Sequence, residues 1–360
     1  MLAGHEPRGE ATARRQCLVT EILVVIVNYR TASLTEKCLE AVARERAAGA
    51  DLSAILVDGC SGDGSVPQLR AFLEASDIGD WTELLALDFN GGFGWANNQA
   101  MLHRGDQLPP YIYLLNPDAE IEPGAISALA QVLDDHSDVA AVGSQLLEVD
   151  GSKSASAFRF PSVRNEFVRG AQTSALRRLL ALRPSTIEIA QAGPVDWVTG
   201  ASVMLRRDAL RQTGLFDDGF FLYFEEVELM QRLRQAGWCV WSEPASRVKH
   251  IGGASTGIEE SLRPRARPAY WYRSRKRYFT LARGRTYGLC ANLAWLFGYA
   301  LIGLPRLLLS SASRSRAVPK ELDGMSKAGF WIRSDEAQRS APSIGGAFGN
   351  LPSWSRDGHG

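Results

Sequence analysis

Three carboxylates fall within the short segment FEEVEL, Phe224 to Leu229: Glu225, Glu226 and Glu228. The aromatic run FFLY leads into them and MQRLRQAGW follows. Acids in the first turn of a helix complement its dipole, which alone is reason enough for such a cluster. The competing reading is chemical: a carboxylate beside apolar surface, within hydrogen-bond reach of a substrate hydroxyl, acts as a general base. Glu228 stands four residues before Arg232, the spacing of an ion pair along one helix face.

Other polar clusters each close an apolar run. Val27-Asn28-Tyr29 ends EILVVIVNYR, Asp58 to Ser65 ends SAILVDGCSGDGS, and Asn116-Pro117-Asp118 follows YIYLL. A DG turn after a strand is ordinary loop chemistry. Their repetition carries more, because open α/β sheets bind ligands at the carboxyl ends of their strands. A diphosphate there can be neutralised by a divalent cation on carboxylate oxygens, and Asp118, with Glu120 close by, is the candidate. His250, in VKHIGG, is either a structural histidine or a further metal ligand. The glycines of FNGGFGWANNQ lack the G-x-G-x-x-G spacing and do not follow the first strand, which excludes a dinucleotide dehydrogenase. No G-x-x-x-x-G-K-[ST] loop occurs, and no glycine-rich triphosphate loop follows VVIVNYR, which argues against P-loop nucleotidases and nucleotidyltransferases.

The elements that must position these residues alternate. EILVVIVNYR and SAILVDG read as strands buried on both faces, separated by a helix that carries Leu34, Cys38, Leu39 and Val42 at helical spacing. WTELLALDF and YIYLLNPDAEI supply two more strands around the helix ANNQAMLHRG, and PGAISALAQVLDDH and VAAVGSQLL continue the alternation of a doubly wound α/β domain. From Asp150 to Pro194 the pattern weakens, as in a substrate-facing insertion, before VDWVTGASVMLRRDAL restores it. The 360 residues are 45% hydrophobic, enough for a sizeable core, and 40 basic residues balance 40 acidic ones, which gives no global sign of a nucleic-acid partner. Five cysteines without a CxxC pair fit a reducing cytoplasm. Residues 1–19 read as a flexible leader without the apolar core of a signal peptide, and 312–360 as a disordered tail.

Taken in order, VVIVNYR, LVDGCSGDGS, NGGFGWANN, LLNPDAEI, GASVMLRRDAL, GLFDDGFFLYFEEVELMQRLRQAGW and VKHIGGAST resemble the family 2 glycosyltransferases of the GT-A fold, in the subgroup containing rhamnosyltransferases. The resemblance implies a Rossmann-like, mostly parallel sheet flanked by helices and followed by a C-terminal helical extension. It implies a catalytic domain over 20–256, with a nucleotide-sugar half, 20–122, and an acceptor half, 123–256. It further implies inverting transfer of a sugar from a nucleotide-diphosphate donor, assisted by Mg or Mn. Val27 and Asp58 match positions near the nucleotide base, while Asn28, Gly92, Asn97 and Asn116 lie in the matching donor motifs. Asp118 matches the metal-holding aspartate of a variant Asp-x-Asp motif, and His250 a histidine that completes the metal site in some relatives. Trp197 and Gly200 match a region bordering donor and acceptor, with core packing and a close-approach glycine as the alternative.

In that family the acidic segment reads Glu-Asp-x-Asp, and the Asp takes the proton from the acceptor hydroxyl. Glu226 stands at that position, one methylene longer, and Glu225 substitutes if the helix starts differently. Gly59 stands where relatives often have Asn, and Trp95-Ala96 replaces a commoner small pair. These departures raise the alternative of a catalytically degenerate sugar-nucleotide-binding protein. The subgroup favours dTDP-rhamnose, with UDP and GDP sugars open, and a glycan or lipid-linked acceptor.

Residues 257–311 form a basic and aromatic extension. Arg273, Arg275, Lys276, Arg277, Arg283 and Arg285, interleaved with Tyr270, Trp271, Tyr272, Tyr278 and Phe279, precede the uncharged TYGLCANLAWLFGYALIGLP. Basic residues with aromatic belts suit the anionic cytoplasmic face of a membrane, here the inner membrane. Three glycines, Asn292 and Pro305 make a poor spanning helix, which leaves a helix lying on the membrane surface or one packed on the catalytic domain.

Overall fold

The computed structural model describes residues 20–171, 173–250, 267–305, 322, 324–325 and 339–352. The expected leader 1–19, residues 251–256 of the last matched motif, and most of the expected tail lie outside the described residues.

The run ILVVIVN forms β1 (Ile22–Asn28), buried on both faces as a continuous branched-aliphatic sequence requires. Helix α1 (Ala32–Ala47) crosses to β2 (Leu52–Asp58), and α2 (Ser65–Glu74) to β3 (Thr82–Ala86), each new strand parallel to the last. Helix α3 (Phe93–Arg104) then returns the chain to β4 (Tyr111–Leu115), parallel to β1 on its other side. That reversal of strand order opens a crevice at the carboxyl ends of β1 and β4, where such sheets bind ligands.

Strand β5 (Ala119–Ile121), helix α4 (Ala125–Asp135) and β6 (Val139–Leu147) follow. The stretch of weak periodicity contains the two-residue β7 (Ala157–Phe158), helices α5 (Val163–Ala171) and α6 (Ser174–Leu179), and β8 (Gly193–Val195). Then come β9 (Trp197–Val198), β10 (Ser202–Arg206), α7 (Arg207–Thr213), α8 (Glu225–Gln235) and the long β11 (Cys239–His250). The main sheet has the order β3-β2-β1-β4-β10-β6-β11-β5, with β8 beside β11; β10 runs antiparallel between β4 and β6. Alternate residues of β1 feed two cores. Ile22, Val24 and Ile26 pack with α1, α2 and α4, whereas Leu23 and Val25 pack with α3, α7 and α8.

The extension is helical, as expected: α9 (Ala269–Arg283) packs on α8, and α10 (Arg285–Gly298), continued by a π-helical turn at Tyr299–Gly303, packs on α5. Its cations do not all face outward. Arg275 is 1% exposed and paired with Glu166 at 2.6 Å, and Arg277 pairs with buried Asp217 at 2.6 Å. Burial alone would raise the Glu166 carboxyl, but Arg169 and Arg275 outweigh it and hold its pKa at about 2. The glycines of the uncharged stretch have a packing role. A Cβ on Gly298 would sit 2.1 Å from the Phe167 carbonyl oxygen, and one on Gly170 2.0 Å from that of Trp295, so α5 and α10 meet backbone to backbone. Among the described residues no helix is long and apolar enough to cross a membrane.

Residues 339–352, within the expected tail, instead lie along the catalytic domain. Pro342 accepts a backbone hydrogen bond from Leu215, the Asn350 carbonyl accepts the Trp95 indole N–H at 2.8 Å, and Arg339 bonds Glu228 at 3.0 Å. Proline, serine and glycine conceal this strap from any periodicity argument, because it binds through its backbone.

Candidate active site

The first two clusters meet at the carboxyl ends of β1 and β2. Asn28 donates to Asp58 Oδ1 at 2.7 Å, Ser61 donates through its backbone and hydroxyl to both Asp58 oxygens, and Thr31 and Thr35 donate to Asn28 Oδ1. Both residues are buried, so Asn28 and Asp58 hold the loops in place with polar atoms already committed to one another. Arg30 and Cys60, just past these strands, adopt left-handed backbone (φ 58° and 59°), a conformation uncommon outside glycine. Val27, half-buried, sits at the last paired positions of β1 beside Val57.

The third cluster forms one side of the crevice. Asp118 is buried, and His250, brought back by β11 where it pairs with β5, lies 3.1 Å from its Oδ1. The Asn116 amide nitrogen stands 3.1 Å from the same His250 Nε2. Asp118 and His250 therefore converge, as a shared metal role requires. Among the described residues no group of three or more His, Cys, Asp or Glu side chains that could hold a metal ion comes together.

The glycine-rich loop proves to be a seam. A Cβ on Gly92 would fall 1.7 Å from the Phe221 carbonyl oxygen, and Gly92 itself has φ 89°, so only glycine fits. The next residue, Phe93, donates its backbone N–H to that same carbonyl at 3.2 Å. Asn98 fastens the seam further: its side chain bonds both the N–H and the C=O of Phe216 and reaches Asp218. Asn97, singled out as a donor contact, bonds the Phe93 carbonyl, and its buried Oδ1 has no hydrogen-bond partner. Sequence reasoning passed over Asn98; the signal available was the Asn-Asn doublet itself, whose two members face different neighbours on a helix.

Across the seam stands the acidic segment. Tyr223 and Phe224 have φ of 69° and 70°, two consecutive bulky residues in the left-handed region, which is strained backbone. This kink starts α8 at Glu225. Glu228 is spent on Arg232 and Arg339, the supporting role its spacing foretold. Glu225 and Glu226 are different: each buries an Oε2 without a hydrogen-bond partner. Burial pushes the Glu226 carboxyl up to about 7. Burial, reinforced by the charge of Glu226, pushes the Glu225 carboxyl well above its ordinary value.

Glu226, half-buried as a residue, lines a cavity of about 440 Å³ with Trp197, Tyr223, Arg159, Arg169 and Arg267. Trp197 stacks on Phe158 with ring centroids 4.3 Å apart and donates its indole N–H to the Arg159 carbonyl. Gly200 joins the two sides. A Cβ there would lie 3.9 Å from that of Glu226 and 3.1 Å from the Phe93 ring, while the next residue, Ala201, accepts the Asn116 backbone N–H at 2.9 Å. Asn28, Asp58, Asn116 and Asp118 thus stand just at or past the carboxyl ends of β1, β2 and β4, and Trp197 and Glu226 line the separate cavity, with Gly200 between Phe93 and Glu226.

Residues 23–213 match the family model described as glycosyl transferase family 2. Over 256 residues, 66% of this chain and 79% of the relative, the chain is 30% identical to N-acetylglucosaminyl-diphospho-decaprenol L-rhamnosyltransferase of Mycobacterium tuberculosis. It is 22% identical over 222 residues, 61% of the chain and 64% of the relative, to the low-salt glycan biosynthesis hexosyltransferase Agl10 of Haloferax volcanii. Its fold is similar to a mannosyltransferase from Pyrobaculum calidifontis solved with GDP-Man and Mn2+, at a TM-score of 0.53 and 14% identity over 86% of this chain and 87% of that one. GalNAc-T7, solved with UDP, GalNAc and Mn2+, gives the same TM-score and identity over 86% of this chain and 56% of its own. A strand order that reverses at β1, motifs gathered at that reversal and this degree of similarity lead to one conclusion: the chain belongs to the family 2 glycosyltransferases and has their GT-A fold.

Proposed function

We propose that this enzyme transfers rhamnose from dTDP-rhamnose, with inversion, to a hydroxyl of a lipid-linked saccharide, working as a peripheral protein at the cytoplasmic face of the inner membrane. The observation that carries the reading is the placement of Asp118 and Glu226 on either side of Gly200-Ala201, one beside His250 and the other in a cavity of its own. An inverting displacement needs that division, with leaving-group charge handled on one side and the incoming hydroxyl on the other.

The donor set of Asp118 and His250, one hard oxygen and one imidazole, fits Mg or Mn completed by diphosphate oxygens. A cation held by these two residues would neutralise charge on the departing nucleotide diphosphate. The residues of the chain do the rest. The braced loops after β1 and β2 hold the nucleotide, with Val27 near the base. Glu226, ionised as the pH passes its raised pKa, accepts the acceptor's proton at its carboxylate. Glu225 keeps its own proton and leaves Glu226 as the only charge of the pair. Trp197 supplies a flat face for a sugar ring, and Arg159, Arg169 and Arg267 make the cavity suitable for an acceptor carrying phosphate groups.

The relative that acts on a diphospho-decaprenol acceptor supports the choice of rhamnose and of a lipid carrier. A panel of dTDP, UDP and GDP sugars tested for thermal stabilisation with and without Mn2+, followed by a transfer assay on the stabilising donor, tests the reading. Stabilisation by dTDP-rhamnose that requires the cation, with turnover, is expected. Stabilisation without turnover on any acceptor identifies a sugar-nucleotide-binding protein instead.

A further inference from the structure

Helix α10 packs on the domain through only one of its sides. Gly288, Ala291, Asn292, Trp295 and Gly298 are buried against α5 and α9, where Asn292 accepts from Arg275. At four-residue steps on the opposite side stand Leu289, Leu293, Phe297 and Leu301, which are 43%, 50%, 61% and 55% exposed. Leu179 and Leu180, at the end of α6, are exposed beside them, and the surface between carries an apolar groove of about 960 Å³ lined by Phe167, Leu180, Leu293 and Phe297. A contiguous face of this kind marks an interaction site.

Charge names the partner. Exposed Arg164, Arg178 and Arg285 come from the same elements, α5, α6 and α10, and exposed Arg183 and Arg283 from the loop after α6 and the end of α9. No acidic residue occurs from Phe167 to Ile187 or from Ser261 to Lys320, and Glu166, next to the first of these spans, is buried and paired inward. An apolar stripe on a helix that, among the described residues, is not long and apolar enough to span, accompanied by one sign of charge, is the composition of a helix that lies in a bilayer interface. Helix α5 also contributes Asn165, Glu166, Val168 and Arg169 to the Glu226 cavity while Val163, Arg164 and Phe167 line the apolar groove.

We infer that the α5–α6–α10 face docks on an anionic bilayer surface, Leu293, Phe297 and Leu301 entering the hydrocarbon boundary and the arginines meeting lipid phosphates. Docked this way, the Glu226 cavity opens beside the membrane, where a lipid-linked acceptor presents its hydroxyl. The inference rests on the proposed acceptor class for its purpose, but it does not depend on the catalytic assignment.

The test is flotation of the full chain with phosphatidylcholine vesicles containing or lacking phosphatidylglycerol, with no acceptor lipid present. Binding is expected with the anionic vesicles and should weaken at high salt. The double variant Phe297→Glu, Leu301→Glu should lose it by about tenfold or more, with the circular dichroism spectrum and transfer to a soluble acceptor unchanged. Equal binding of parent and variant, or no binding by the parent, overturns the inference. So does a dimer in analytical ultracentrifugation that the double variant dissociates, since the face then belongs to a second copy of the chain. If vesicles bind normally but no transfer is detected with any donor, the catalytic reading fails and the docking face stands.

Discussion

The two ends of the crevice are built on opposite principles. At the donor end Asn28, Asp58, Ser61, Thr31 and Thr35 satisfy one another completely, and the loops are set before any ligand arrives. At the acceptor end two glutamates are buried side by side with orphaned oxygens, behind two residues of strained backbone. Nothing about local stability favours the second arrangement, since an unsatisfied buried polar group costs on the order of 1–3 kcal/mol. Strain and unmet hydrogen bonding concentrate where chemistry is done, and the contrast supports the proposed division into scaffold and reactive group.

The contrast can be broken most forcefully at Glu226. Glu226→Gln should lower kcat for transfer by about 10²–10⁴-fold while a donor titration shows affinity unchanged; a variant that still turns over moves the base to Glu225. In the parent, the rate of transfer should climb with pH through about 7, the value to which burial raises this carboxyl, and the climb should vanish in the variant. Next in size, Asp118→Asn should weaken donor binding in Mn2+ by about 10–100-fold, measured by calorimetric titration, with a much smaller loss when the cation is omitted.

The donor bracing predicts a different kind of damage. Asn28→Ala strands Asp58 and two threonines and should cost about 1–3 kcal/mol of stability, read from the urea midpoint, with kcat within a few-fold of the parent. The smallest effect sharpens the comparison by its sign. Glu226 holds its proton to about pH 7 in the native state, against the ordinary 4.5 of a carboxyl, so the native state binds more protons than the unfolded one between those values. Parent stability therefore falls as pH rises across that window. Glu226→Gln should raise Tm by about a few degrees at pH 8 and leave it unchanged at pH 4, a scanning calorimetry measurement in which removing the catalytic group stabilises the protein.

Legibility followed the same divide. The strands of the donor half are continuous apolar runs with polar ends, and β1, β2 and β4 lie where those runs place them. The acidic pair was visible as residue types, but its burial was not, because it depends on close approaches to Gly94 and Gly200, and of Phe221 to Gly92, that the missing Cβ atoms of those glycines permit. The inward turn of Arg275 and Arg277 was equally hidden: their partners, Glu166 and Asp217, lie 109 and 60 positions away. An arginine run beside aromatics reads the same whether its charges meet lipid or buried carboxylates. Here Arg275 and Arg277 meet carboxylates, while the exposed arginines rim α10.

The strap at 339–352 has a consequence for how the molecule is made. Its hydrogen bonds to Leu215, Asp217, Trp95 and Glu228 close over elements that left the ribosome more than a hundred residues earlier. Strands β1 to β4 can settle during translation from their own neighbouring segments, but the helix bearing Glu226 waits for residues 339–352 to arrive. A nascent polypeptide therefore orders the loops after β1 and β2 well before Glu226 is locked in place, and a stop codon upstream of residue 339 would release a protein whose first strands are set while α8 is not.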